Sequence, residues 1–201
     1  MTQVTQGNIR QEETYSEMVR RLFKPMGSEA ADYLHCAIGI TGEGLEVLSA
    51  YTGMDSNEID RENVLEELGD ARFYMERLFQ LMHTKFEHFA NVNDLECEKS
   101  YQLEEISEKF ASPIDMFLVY AGEIQDQVKK LWVYNKQLDV ILFYEAVNGL
   151  VYGYSALCRE HNRSEADVQQ ANMYKLSTGP KARYPLGYSD SAAQARADKA
   201  V

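Results

Sequence analysis

Proline occurs at only four positions, 25, 113, 180 and 185, and this scarcity constrains the fold more than any other feature of the chain. A proline inside a helix removes a backbone donor and clashes with the preceding turn. The long intervals between Pro25 and Pro113 and between Pro113 and Pro180 therefore leave a 3.6-residue apolar period free to run. That period predicts helices over about 12–23, 29–52, 60–86, 96–111, 114–135, 138–160 and 164–177, separated by KPMGS, TGMDSNEID, FANVND and ASP. Ser28 and Ser164 each precede an acidic first turn and are the expected N-caps of their helices. Strand signals are almost absent, so the expected fold class is all-α. After Leu176 the composition turns to STGPKARYPLGYSDS, an ordered-loop pattern, followed by a short helical AAQARADKAV.

With 201 residues, 45% of them hydrophobic, the chain suffices for a single all-α domain over 1–201 or for two small fused copies of one unit. The formal charge of -12 repels a phosphodiester backbone or an anionic membrane, so neither nucleic acid nor membrane is an expected partner. Three widely spaced cysteines, Cys36, Cys97 and Cys158, read as free thiols packed as small core residues in a reducing compartment. No basic-then-apolar leader and no uninterrupted run of 18 apolar residues is present. A cytoplasmic location is the expectation.

Two pairs of acids stand out against this background. GITGEGLEVL sets Glu43 and Glu46 three residues apart in a small, apolar run, and VLEELGDARFY repeats the arrangement with Glu67 and Asp70 after twenty intervening residues. On a helix each pair points to one side, and Ile40, Val47, Val64 and Ala71 place these acids on or beside the core-facing stripe. A solvated acidic face normally alternates with Lys or Arg, yet none lies between Lys24 and Arg61. Four clustered carboxylates raise one another's pKa unless something positive sits between them, and a hard divalent cation such as Mg²⁺, which takes oxygen ligands, is the natural candidate. The di-iron bundle is a different carboxylate architecture and needs Glu-x-x-His on two helices; that motif is absent. Of the four histidines only His35, two turns before Glu43, lies near the acids, where it reads equally as a backbone-bonded core residue or as support for the site. No Gly-x-x-x-x-Gly-Lys, Gly-x-Ser-x-Gly or Cys-x-x-Cys occurs.

Glu43-x-x-Glu46 and Glu67-x-x-Asp70 at this separation, within HCAIGITGE and ENVLEELGDARFYME, resemble the signature of the MazG-like all-α nucleoside triphosphate pyrophosphohydrolases, a superfamily that includes dimeric dUTPases. The closing segment is similar as well, with Asn172, Lys175, Leu176, Arg183, Tyr184, Pro185, Arg196, Asp198 and Lys199 at the recurring positions. The resemblance covers roughly 29–86 and 170–199. Two departures stand beside it: the lysine pair usual after the second glutamate is replaced by VLSAYTGMDS, and GPKA reads as an insertion in the tail.

A lysine pair appears further on, in YAGEIQDQVKKLWVYNKQLD. Laid over the first acidic helix, this segment sets Tyr120 opposite Glu43 and Glu123 opposite Glu46. The next helix then sets Ala146 opposite Glu67 and Gly149 opposite Asp70. A shifted register pairing Glu145 with Asn148 loses fewer acids but needs more gaps. The expected architecture is thus a helical bundle around a four-helix MazG-like core made from two tandem, diverged hairpins: a metal-binding copy at 29–86, a second copy at 96–161, and a C-terminal helix with a nucleotide-contacting tail at 164–201. Two amphipathic hairpins without common origin would look similar.

The resemblance implies hydrolysis of a (deoxy)nucleoside triphosphate to the monophosphate and pyrophosphate, with purine deoxynucleotides such as dGTP and dATP among the compatible substrates. It implies Mg²⁺, replaceable by Mn²⁺, on Glu43, Glu46, Glu67 and Asp70, and a proton acceptor among Glu43 and Glu46. The expected substrate contacts are His35, Lys129, Lys130, Asn172, Lys175, Arg183, Tyr184, Arg196 and Lys199, the cationic ones through charge-assisted bonds to the polyphosphate. Trp132, Tyr134 and Tyr184 are available to stack on a base. Homo-oligomerisation is compatible with such a protein. The alternatives are a dUTPase-type or phosphoribosyl-ATP pyrophosphohydrolase activity, or a non-catalytic helical binding or assembly module whose acids hold a structural cation or stay solvated.

Overall fold

A computed structural model describes residues 13–53, 59–90 and 108–195. Among them the chain is helical, with no strand: α1 (Tyr15–Leu22), α2 (Glu29–Thr52), α3 (Arg61–Leu81), α4 (Glu87–Ala90), α5 (Pro113–Tyr134), α6 (Val140–Glu160), α7 (Glu165–Met173) running into a π-helical turn (Tyr174–Thr178), and α8 (Asp190–Ala195). The all-α expectation holds.

Local chemistry sets most of these boundaries. Ser28, Asp60, Ser112, Asp139 and Ser164 each accept a hydrogen bond from the backbone N–H three residues on, and Pro113 supplies the first residue of α5. Such caps satisfy donors that the first helical turn leaves without a partner, each contributing about 1 kcal/mol. Gly53 and Asn135 close α2 and α5 in the left-handed conformation, at φ 64° and 50°. The continuous helix expected over 60–86 is not found. α3 stops at Leu81, His83 turns left-handed at φ 53°, and the Thr84 N–H donates to the Phe79 carbonyl at 2.9 Å. The helix expected over 96–111 falls mostly outside the described residues, and 108–111 form turns. The helix expected over 164–177 keeps α geometry only to Met173.

The four long helices form two antiparallel hairpins, α2–α3 and α5–α6, joined mainly through α2 and α5. Their directions follow from the residues that meet: Tyr33 and Phe143 pack edge to face at one end, and the Tyr51 hydroxyl donates to Glu160 at 2.7 Å at the other. α6 therefore runs parallel to α2, and α5 antiparallel to both. Ile40, Leu68, Met75, Phe117, Ile124 and Tyr154 are fully buried where the helices meet, each worth roughly 1.5–3 kcal/mol in area removed from water. Glycines allow close approach within each hairpin. The Tyr74 ring lies over Gly39, and the Tyr120 ring lies over Gly149 where any Cβ would overlap it.

Cys36 and Cys158 are buried free thiols, as expected, and Cys97 lies outside the described residues. α6 is the one helix among the described residues long and apolar enough to cross a membrane, and half of its most apolar stretch is buried in the bundle. At the α5–α6 turn, by contrast, Trp132, Val133 and Tyr134 and then Val140, Ile141 and Leu142 are all exposed. α1 and α7 cover the open side of α3. Met18, Val19 and Leu22 pack with Leu176 of the π-helical turn in a small second core.

Candidate metal centre

The antiparallel α2–α3 hairpin brings the two acidic pairs to the same level. Glu43 and Glu46 from α2 and Glu67 from α3 each offer a carboxylate oxygen, and the three oxygens lie within 4.8 Å of one another. Glu67 is buried, Glu43 partly buried and Glu46 exposed. Burial is the largest influence on Glu43 and Glu67, followed by the negative charge of Asp70 and the neighbouring glutamates. Together they push Glu43 up to about 8 and Glu67 up to about 7. The Lys175 ammonium pulls both values down without cancelling the rise, and the all-oxygen donor set suits a hard divalent ion without distinguishing Mg²⁺ from others. The residues present fit such an ion.

Asp70 stands one turn beyond Glu67 and is engaged differently. Its Oδ1 accepts from Asn172 Nδ2 at 2.8 Å and its Oδ2 from Lys175 Nζ at 2.5 Å. Lys175 Nζ also pairs with Glu66 Oε1 at 2.9 Å. Burial alone would lower the Lys175 pKa, but Asp70 and Glu66 outweigh it and raise the value. Asn172 is itself buried against Gly69 and accepts from the Tyr15 hydroxyl at 3.0 Å. The cation that the local sequence of the acidic pairs lacks is thus delivered from the tail.

Of the expected substrate contacts, Asn172 and Lys175 are brought to the acids. Arg183 and Tyr184 sit beside them, since their N–H groups donate to the carbonyls of Lys175 and Leu176 at 3.0 and 2.8 Å, and the Arg183 guanidinium lies 5.9 Å from the Tyr184 ring centroid. His35 is half-buried, one ring nitrogen 3.2 Å from the Lys24 carbonyl oxygen and the ring packed between Phe23 and Tyr74. Burial lowers its pKa. Arg196 and Lys199 lie outside the described residues.

Lys129 and Lys130 are not brought to the acids. Both pair with Asp126 on their own helix, at 2.7 and 2.6 Å. Phe117 is the α5 residue level with the acidic cluster, where its ring meets Gly44. Lys129 lies twelve residues further along α5, about 18 Å by helical rise. Trp132 and Tyr134 lie further still. At the level where the second hairpin would need ligands, the Tyr120 ring is packed onto Gly149 instead.

Several residues missing from the sequence reading complete the surroundings. Glu66 holds the other side of Lys175, and Tyr15 holds Asn172. Arg72, 1% exposed, ties α3 to Glu165 of α7 at 2.7 Å and to Glu76 at 3.0 Å beneath the rings of Tyr15, Phe79 and Phe86. An arginine in an apolar stripe two residues after Asp70, with Glu76 four residues on, was the available signal for that anchor. Beside Lys175 and Asn172, a cavity of about 350 Å³ opens between α3 and α7, lined by Glu62, Leu65, Arg163, Asp167, Val168 and Ala171. A larger, separate cleft of about 1030 Å³ lies along α5 and α6, with Glu123, Lys130, Glu145 and Asn148 in its wall.

Comparison with known proteins brings no match: no protein-family model, no curated protein and no solved structure is significantly similar to this chain.

Proposed function

We propose that the protein is a divalent-cation-dependent nucleoside triphosphate pyrophosphohydrolase of the MazG-like kind, releasing a nucleoside monophosphate and pyrophosphate. The observation that carries this reading is the convergence of Glu43, Glu46 and Glu67 within 4.8 Å, with Asp70 one turn away on the same hairpin. Glu43, Glu46, Glu67 and Asp70 would hold Mg²⁺, or Mn²⁺ in its place. When bound, the ion neutralises charge developing on phosphate oxygens and lowers the pKa of water. The protein's own groups do the rest. With the ion in place, Glu43 or Glu46 is the carboxylate positioned to take the proton of the attacking water. Lys175 and Arg183 supply positive charge to the polyphosphate and Asn172 a neutral donor. The 350 Å³ cavity that Lys175 and Asn172 share is large enough for a nucleoside moiety, with Leu65, Val168 and Ala171 as its apolar side. On this reading the α5–α6 hairpin is a diverged second copy without ligands, and it contributes packing rather than charge to the site.

The test is a panel of ribo- and deoxynucleoside triphosphates, dGTP and dATP included, incubated with Mg²⁺ and analysed for products. Monophosphate and pyrophosphate should appear in a one-to-one ratio, and activity should vanish in chelator. A diphosphate with free orthophosphate would refute the bond assignment. A second reading, a helical assembly module, draws on the exposed apolar turn from Trp132 to Leu142. Inactivity across the panel together with concentration-dependent association would favour it.

A further inference from the structure

We propose that Lys175 is a built-in counter-ion of the metal-free site, and that a divalent cation ligated by Asp70 must displace it. This rests on the acidic cluster being a metal site and adds to it that the tail competes for one of the ligands.

The geometry is specific to Asp70. The three glutamates turn their oxygens toward one another, whereas both oxygens of Asp70 are occupied, one by the Lys175 ammonium and one by the Asn172 amide. A cation drawing on Asp70 beside the glutamates would meet that ammonium at close range, and two like charges there repel strongly in a partly desolvated site. Lys175, 14% exposed, cannot simply dissolve into solvent where it stands. A retreat is nevertheless provided, because its Nζ is shared with Glu66, which faces the α3–α7 side rather than the glutamate cluster. Letting go of Asp70 while keeping Glu66 moves the ammonium toward the 350 Å³ cavity without leaving it unpaired.

The backbone is arranged so that this step is local. Lys175 lies in the π-helical turn Tyr174–Thr178, an irregularity that concentrates at functional sites. The turn is pinned on both sides: Arg21 Nη2 donates to Ser177 Oγ at 2.7 Å, and the Arg183 and Tyr184 N–H groups bond the carbonyls of Lys175 and Leu176. Asn172 stays anchored by Tyr15. Only the lysine side chain has to move.

The experiment is calorimetric titration of Mn²⁺, without nucleotide, into the full chain at fixed pH. Wild type is compared with Lys175→Met, with Lys175→Gln, which keeps a polar group at the same position, and with Ser177→Ala, which removes a pin of the turn without touching Asp70; thermal unfolding confirms that each is folded. Both Lys175 variants should bind Mn²⁺ about tenfold more tightly or better, while Ser177→Ala stays within about twofold. Unchanged or weaker binding in both Lys175 variants, with wild type binding normally, overturns the counter-ion role and leaves the metal site standing. An equal gain in Ser177→Ala also overturns it, because loosening the tail rather than removing the charge would then be responsible. No binding to wild type or to either Lys175 variant removes the metal site itself.

Discussion

Glu43 and Glu67 impose a pH dependence on the metal-free chain. Their folded pKa values, about 8 and about 7, lie above the ordinary glutamate value of 4.5. Their protonated forms therefore support the fold fully below pH 4.5, and that support is lost as pH rises through 7 and 8. In chelator, wild type should lose stability between pH 5 and pH 8. Glu43→Gln should lose less, standing about 1–2 kcal/mol above wild type at pH 8 in urea denaturation. Parallel pH profiles for the two proteins would contradict this. For turnover the expectation reverses: Glu46→Gln and Asp70→Asn should fold normally yet lose about 100-fold or more in kcat/KM with Mg²⁺, because charge stabilisation in the transition state goes with the ligand. At this scale the sequence is informative for residues of like kind at short spacing. Helical periodicity is enough to pair Glu43 with Glu46 and Glu67 with Asp70. Asn172 and Lys175 needed the resemblance of the tail, since nothing local ties them to Asp70. Glu66 and Tyr15 gave no signal, because their roles depend on how α7 and α1 dock, which no local pattern encodes.

Among the elements, α7 carries Asn172 and leads into the turn that carries Lys175, and its own anchor is the buried Arg72–Glu165 pair. Removing one partner of a buried pair leaves a charge uncompensated. Glu165→Ala, which leaves Arg72 with Glu76 alone, should cost about 2–3 kcal/mol in chemical denaturation. Loss of that hold should also free the 174–184 amides, so hydrogen exchange there should quicken more than in the α5–α6 hairpin. The lysine pair belongs to a different element. Because Lys129 and Lys130 are tied to Asp126 far along α5, Lys129→Met with Lys130→Met should leave Mn²⁺ affinity and turnover within about twofold. A large loss of turnover would restore Lys129 and Lys130 as the expected substrate contacts. Helix starts were legible wherever Ser28 or Ser164 caps a first turn. The end of α3 was not, because His83 stops it with a left-handed backbone that any pattern of apolar residues passes over. The direction in which the lysine pair lies was equally hidden: it follows from the pairing of Phe117 with Gly44, a tertiary contact.

For the molecule as a whole, a ligand that binds only the folded chain stabilises it by mass action, about 2.7 kcal/mol at a hundredfold excess over Kd. Saturating Mn²⁺ should therefore raise the Tm of wild type, and the gain should disappear in a Glu43→Gln, Glu46→Gln, Glu67→Gln triple variant; an equal gain in that variant would place the ion elsewhere. The overall class was legible because proline scarcity and the absence of strand patterning leave little but helices to build from. The way the hairpins, α1 and α7 assemble around the acids was not, since it depends on ring-on-glycine contacts and a buried arginine. The exposed α5–α6 turn has a consequence for measurement. It holds Trp132, the chain's single tryptophan and 48% exposed, fifteen residues along α5 from Phe117 and so about 22 Å beyond the level of the acids. Indole emission under selective excitation is then a native optical reporter of that one turn, red-shifted while water reaches the ring. Metal titration should leave its wavelength in place, and only a partner settling over the hairpin end should move it to the blue.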